Sequence, residues 1–136
     1  MNFNHVTLIV SDLDRSKAFY LALGLAQIVD APPRYARFVL PDGDATLSLE
    51  VTGVEQAPPR VQMYFECDDL DERVEILKSR GLVFEQDPQD MPYLWREARM
   101  RDPDGHIVRL YRAGENRLNP PWRLNEPAVW RANALA

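Results

Sequence analysis

A chain of 136 residues is long enough for one ordinary domain with a real core, and 46% apolar with 27% charged residues is the balance of a soluble globular protein. The formal net charge of −5 argues against a nucleic-acid partner, which needs a cationic footprint. No apolar run approaches the ~20 residues of a membrane span. No basic-then-apolar leader opens the chain, so a cytoplasmic location is the default expectation. The single cysteine, Cys67, makes neither an intramolecular disulfide nor a thiolate zinc cluster.

Residues 3–10 alternate, with Val6, Leu8 and Val10 on one face and His5, Thr7 and Ile9 on the other, as a half-buried strand does. Ser11 and Asp12 are suited to cap a helix running to Leu23, with Leu13, Ser16, Phe19, Tyr20 and Leu23 inward and Gly24 at its end. A short strand is expected over 25–30. Ala31-Pro32-Pro33 breaks it, and 35–40 and 45–51 form a hairpin around Pro41-Asp42-Gly43. After a linker over 53–60 the pattern starts again. Gln62-Met63-Tyr64-Phe65-Glu66-Cys67 and Asp69-Leu70-Asp71 fall on His5 to Val10 and Asp12-Leu13-Asp14 at a constant offset of 57, which continues to Gly24-Leu25 and Gly81-Leu82. The second copy reads as a strand over 61–67, a helix over 69–80 with Leu70, Val74 and Leu77 inward, and a short strand over 82–86. A turn-rich insertion over 87–92 follows, then a hairpin from Tyr93 to Tyr111 about Asp102-Pro103-Asp104-Gly105. Cys67 shares a strand face with Met63 and Phe65 and is expected to be buried. The fold class is α+β: two tandem βαβββ modules, residues 1–56 and 57–112, forming one curved eight-stranded sheet with the helices outside, plus a C-terminal arm over 113–136, all one structural domain.

The His5 strand, the Asp-Leu-Asp helix starts, Phe19-Tyr20…Leu23-Gly24-Leu25 and Asp102-Pro103-Asp104-Gly105-His106 together resemble the vicinal oxygen chelate superfamily over about residues 3–112. That superfamily holds glyoxalase I, extradiol dioxygenases and bleomycin-resistance proteins. The resemblance implies a ligand cavity on the concave face, common dimerisation and, in metal-dependent members, two ligands from each module. Carried over residue by residue, the first-strand slots are His5 and Gln62 and the last-strand slots are Ser48 and Arg109, with Glu50 as the substitute if the register slips. Where the pattern Asp-Pro-Asp-Gly-x-x-x-Glu ends in a carboxylate, this chain has Arg109. A guanidinium has no lone pair to offer and puts positive charge where a cation would sit.

The expectation is therefore a small polar or anionic organic molecule bound without a catalytic metal. The rival is a lyase or dioxygenase using zinc, nickel, iron or manganese on His5, Glu50 and Gln62; a third reading is a resistance-type protein that sequesters its ligand. The cavity wall is expected to carry Arg37, Arg99 and Arg109 with Ser48, Gln62 and Tyr64. Convergent guanidinium groups suit carboxylate or phosphate. If turnover occurs, His5 is the available base and Arg109 or Arg99 stabilises negative charge. Set against this, Glu50, Glu66 and Glu97 share that face by alternation and can hold the arginines in structural ion pairs. His106 is expected only to pack or hydrogen-bond at its turn. Asp68, Asp69 and Asp71 lack the spaced loop of a calcium site. Tyr93 and Trp95 are expected to pack on the sheet rather than form a rim over the ligand. Trp122 and Trp130 are costly to leave in water, so the arm is expected to dock on its own subunit or on the partner in a homodimer.

Overall fold

The computed structural model describes residues 2–54, 59 and 61–130. Most of the expected linker, the module boundary and Ala134-Leu135 fall outside the described residues. The first module runs β1 (His5–Ile9), α1 (Leu13–Leu23), β2 (Ala26–Ala31), β3 (Tyr35–Val39), β4 (Thr46–Glu50). The second repeats it as β5 (Gln62–Glu66), α2 (Leu70–Ser79), β6 (Gln86–Asp90), β7 (Arg96–Arg101), β8 (Ile107–Arg112), with a 3-10 turn at Gly114–Arg117. The eight strands hydrogen-bond as two sheets of four, ordered β1-β4-β3-β2 and β5-β8-β7-β6, and among the described residues no closed barrel forms. In each sheet the first strand is parallel to the last and the remaining pairs are antiparallel.

The alternation sends Leu8, Phe38, Leu47 and Leu49 of the first sheet, and Met63, Ala98, Met100, Val108 and Leu110 of the second, to the helix side. They join Leu13 and Tyr20 of α1 and Leu70, Val74 and Leu77 of α2 in one buried cluster through both modules. Asp12 caps α1, its carboxylate accepting the Arg15 N–H, and Gly24 closes it at φ 115°, a conformation that favours glycine. Asp69 does not cap α2 through its side chain; its carboxylate reaches Arg73 at 3.0 Å instead.

The main departure from expectation is β6. It lies over Gln86–Asp90, mostly inside the stretch read as an insertion over 87–92, and shares only Gln86 with the strand expected over 82–86. β6 is an edge strand, so Pro88 need not donate a ladder hydrogen bond, and the register shifts between Gln86 and Gln89 at that point. Likewise β7 starts only at Arg96, because Tyr93 and Leu94 belong to the preceding turn.

The modules are fastened where α1 meets the β7–β8 turn. Tyr20 Oη donates to Asp102 Oδ2 at 2.7 Å, and the Ser11 amide, Ser11 Oγ and Ser16 Oγ all donate to the Asp104 carboxylate. Asp102 also accepts the amides of Asp104 and His106 and lies 2.7 Å from His106 Nδ1. The turn residues thus serve the joint between modules as well as their own hairpin, and His106 bonds within it.

Candidate functional site

The face opposite the helices carries most polar side chains of the central strands; Arg96 of β7 turns instead to Asp71 on α2. In the first sheet the register sets Thr7, Ser48 and Arg37 side by side on β1, β4 and β3. Arg37 Nε donates to Tyr35 Oη at 2.9 Å, and that hydroxyl lies 2.6 Å from Ser48 Oγ. Ser48 Oγ is 3.3 Å from His5 Nε2, and His5 Nδ1 is 2.5 Å from Thr46 Oγ1. A continuous chain of polar groups therefore runs from Arg37 to His5. No carboxylate among the described residues pairs with Arg37, whose guanidinium lies 5.5 Å from the centre of the Tyr35 ring.

The second sheet repeats the rung with Tyr64, Arg109 and Arg99. Arg99 and Arg109 stand directly opposite one another, which like charges resist unless each is compensated. Arg109 Nη1 lies 3.3 Å from the buried Glu97 carboxylate and its Nε donates to Gln62 Oε1 at 3.0 Å. Arg99 Nε lies 3.3 Å from Glu85, which also takes Arg101 at 2.7 Å. Glu97 further accepts the Tyr93 hydroxyl at 2.7 Å; burial, then this carboxylate, push the Tyr93 phenol up to about 12. Trp95 stacks on Tyr111 at 4.8 Å between ring centres, with Tyr64 and Tyr93 edge-on to Trp95. Trp95 thus packs, as expected, while Tyr64 and Tyr93 keep 45% and 39% of their surface exposed.

Of the expected carboxylate–arginine pairs, Glu97–Arg109 forms. Glu66 instead takes the amides of Ala113 and Gly114 and the Arg117 side chain, and Glu50 is exposed beside Tyr35 and Ile9. Glu85, and not one of the expected Glu50, Glu66 and Glu97, is the partner of Arg99, its amide donating to the Arg99 carbonyl. The alternation of 35, 37 and 39 sets Tyr35 and Arg37 on this face, and the Tyr35 hydroxyl bridging Arg37 and Ser48 emerges only from the structure. Cys67 is partly buried, and burial lifts its thiol to about 11, which leaves it inert as a nucleophile near neutrality.

His5 and Gln62, the two first-strand positions, both line a cleft of about 290 Å³ between β1 and β5. A divalent metal does not suit this donor set. Gln62 Oε1 already accepts from the Arg109 guanidinium, and His5 is paired with Thr46 while Glu50 is paired with Ile9, four residues along β1, so that roughly 13 Å of strand separates them. Among the described residues no group of three His, Cys, Asp or Glu side chains is placed to hold a metal ion.

Residues 2–110 match the model of the Glyoxalase/Bleomycin resistance protein/Dioxygenase superfamily. The chain belongs to this superfamily. Among solved structures it is similar to a glyoxalase/bleomycin resistance protein/dioxygenase from Nocardioides, at 25% identity and TM-score 0.74, covering 91% of this chain and 89% of that one. A superfamily member from Sphaerobacter thermophilus is 26% identical at TM-score 0.67, over 82% of this chain and 97% of that one. A lactoylglutathione lyase from Agrobacterium tumefaciens shares the fold at TM-score 0.70 and 20% identity, over 87% and 96%. No protein of curated function matches. The superfamily is thus fixed by fold and sequence together, and the chemistry of this member must be argued from its own side chains. Among the described residues no helix is long and apolar enough to cross a membrane.

Proposed function

We propose that this superfamily member binds a small organic anion, a carboxylate or a similarly oxygen-rich group, on the face opposite its helices, without a divalent metal. The observation that carries the reading is Arg37. Among the described residues no carboxylate pairs with Arg37, whereas Arg109 is paired with Glu97 and Arg99 lies 3.3 Å from Glu85, a carboxylate it shares with Arg101. The Arg37 Nε is fixed by Tyr35, which leaves the rest of the planar guanidinium for bidentate recognition of an anion. Tyr35, Ser48 and His5 continue from it as hydrogen-bonding partners for further oxygens. His5 is the imidazole on this wall, so any turnover would use it as the base.

The test is calorimetric titration with a panel of small aromatic and aliphatic carboxylates beside their methyl esters, for the native chain and Arg37→Gln. The carboxylates should bind and the esters should not, and Arg37→Gln should weaken binding about ten- to a hundredfold, the worth of one charge-assisted contact. Equal affinity for acid and ester, or no effect of Arg37→Gln, removes the anion reading. Elemental analysis of the same protein addresses the metal: one equivalent of zinc, nickel, iron or manganese that raises the melting temperature would overturn the metal-free part.

A further inference from the structure

The start of each helix meets the hairpin turn of the other module, so the duplicated fold has two equivalent joints. At the first, α1 meets the Pro103-Asp104-Gly105 turn: Asp104 accepts from the Ser11 amide, Ser11 Oγ and Ser16 Oγ, and Asp102 from the Tyr20 hydroxyl. At the second, α2 lies beside the Pro41-Asp42-Gly43 turn, whose glycine is left-handed like Gly105. The offset of 57 puts Asp68, Arg73 and Leu77 in the places of Ser11, Ser16 and Tyr20, and Leu40 precedes the turn proline where Asp102 does so at the first joint. Asp68 only accepts where Ser11 donates, Leu77 lacks the phenol of Tyr20, and Arg73 turns back along its own helix to Asp69 at 3.0 Å. The side-chain hydrogen bonds that close the first joint therefore have no counterpart among the described residues of the second.

What stands at the second joint is a cavity of about 790 Å³, within the roughly 300–1,000 Å³ of small-molecule pockets. Its apolar wall is made by the buried Leu25, Leu77 and Leu110 and the half-buried Leu40, Phe65 and Cys67. Its charged members are unequally matched. Glu66 is held by Arg117 and the Ala113 and Gly114 amides, Asp69 by Arg73, and Arg80 Nη1 donates to the Ala22 carbonyl at 2.9 Å. Among the described residues the exposed Asp42 and Asp68 carboxylates have neither a hydrogen bond nor an ion pair. Two free carboxylates against the single guanidinium of Arg80 give the cavity a negative field, which its apolar wall concentrates. None of His5, Tyr35, Arg37 and Ser48 lines it, so it is separate from the proposed anion site.

We infer that this cavity is a second ligand site and that it takes an organic cation: an ammonium or amidinium group hydrogen-bonded to Asp42 and Asp68, on an apolar body lying against Leu25, Leu40 and Leu77. Such a ligand supplies what Ser11, Ser16 and Tyr20 supply at the first joint, donors for the turn carboxylate and apolar volume beside them. A neutral molecule of the same shape leaves both carboxylates unpaired, and an anion is repelled by them. Asp42 belongs to the first module and Asp68 to the second, so the bound cation ties the two together.

Methyl NMR titration of the full chain tests this, with phenethylamine and hexylamine as probes beside phenethyl alcohol and hexanol, their neutral counterparts. The amines should shift the methyl signals of Leu25, Leu40 and Leu77 and raise the melting temperature, as a ligand that binds only the folded chain does. The alcohols should bind at least about tenfold more weakly. Hydrocinnamate, an anion of similar size suited to the Arg37 face, should leave these methyls in place. Asp42→Asn with Asp68→Asn keeps side-chain shape at two exposed positions and should weaken the amines by about tenfold or more. Amines that leave the three leucines unmoved, alcohols that match them, or a double variant that binds as well as the native chain would each overturn the inference. None of these readouts lies on the Arg37 face, so such a failure leaves the proposed function standing.

Discussion

Arg109 occupies the position where the resemblance puts a metal-binding carboxylate, and its surroundings show what the exchange requires. A guanidinium opposite Arg99 is tolerated because Glu97, fully buried, sits one rung away and takes its charge. Removing one member of such a pair leaves an uncompensated buried charge, whereas removing both need not. Arg109→Met should therefore cost about 3 kcal/mol in urea unfolding, Glu97→Gln a similar amount, and the double variant much less than the sum. Additive losses would mean that the two groups are not coupled. Among the described residues Arg37 has no such neighbour, and the proposed anion site rests on this difference between equivalent rungs.

At the scale of elements, the joint between α1 and the β7–β8 turn has a sign that can be checked against pH. Burial works to raise the Asp102 carboxyl, but the hydrogen bonds from His106 and Tyr20 outweigh it and hold the group below the usual carboxylate range. A depressed carboxyl contributes stability that is complete above its unfolded value of about 4 and is lost as pH falls through the lower folded value. Tyr20→Phe should lower stability by about 1–2 kcal/mol at neutral pH, and the difference from the native chain should shrink below about pH 4 in thermal melts. A constant difference across that range would assign the loss to packing instead. The β6–β7 turn offers a test of backbone strain. Among the described residues Leu94 is the non-glycine residue at positive φ, 68°, and it is half exposed. A left-handed leucine costs roughly 1–2 kcal/mol, so Leu94→Gly should raise the unfolding free energy by about 1 kcal/mol or less, after glycine's own entropic cost. A lower melting temperature would show that the leucine packs more than its exposure suggests.

Across the whole molecule, the repeat at an offset of 57 determined most of the architecture: both helices, the hairpin registers and the face on which Arg37, Ser48, Arg99 and Arg109 lie follow from periods of 3.6 and 2 and from the glycines that end each helix. Such patterns are local and repeat within each module, so one chain read alone carries them. What the tertiary structure alone decided is which carboxylate serves which arginine. Glu85 and Glu97 reach Arg99 and Arg109, Glu66 turns to the arm, and Arg37 is left with a tyrosine. Pairing of this kind depends on side-chain reach between neighbouring strands and on the edge position that let β6 accommodate Pro88. The joint of Tyr20 and Ser16 with Asp102 and Asp104 is equally invisible to a linear reading, because those partners are more than 80 residues apart and meet only when the modules close on one core.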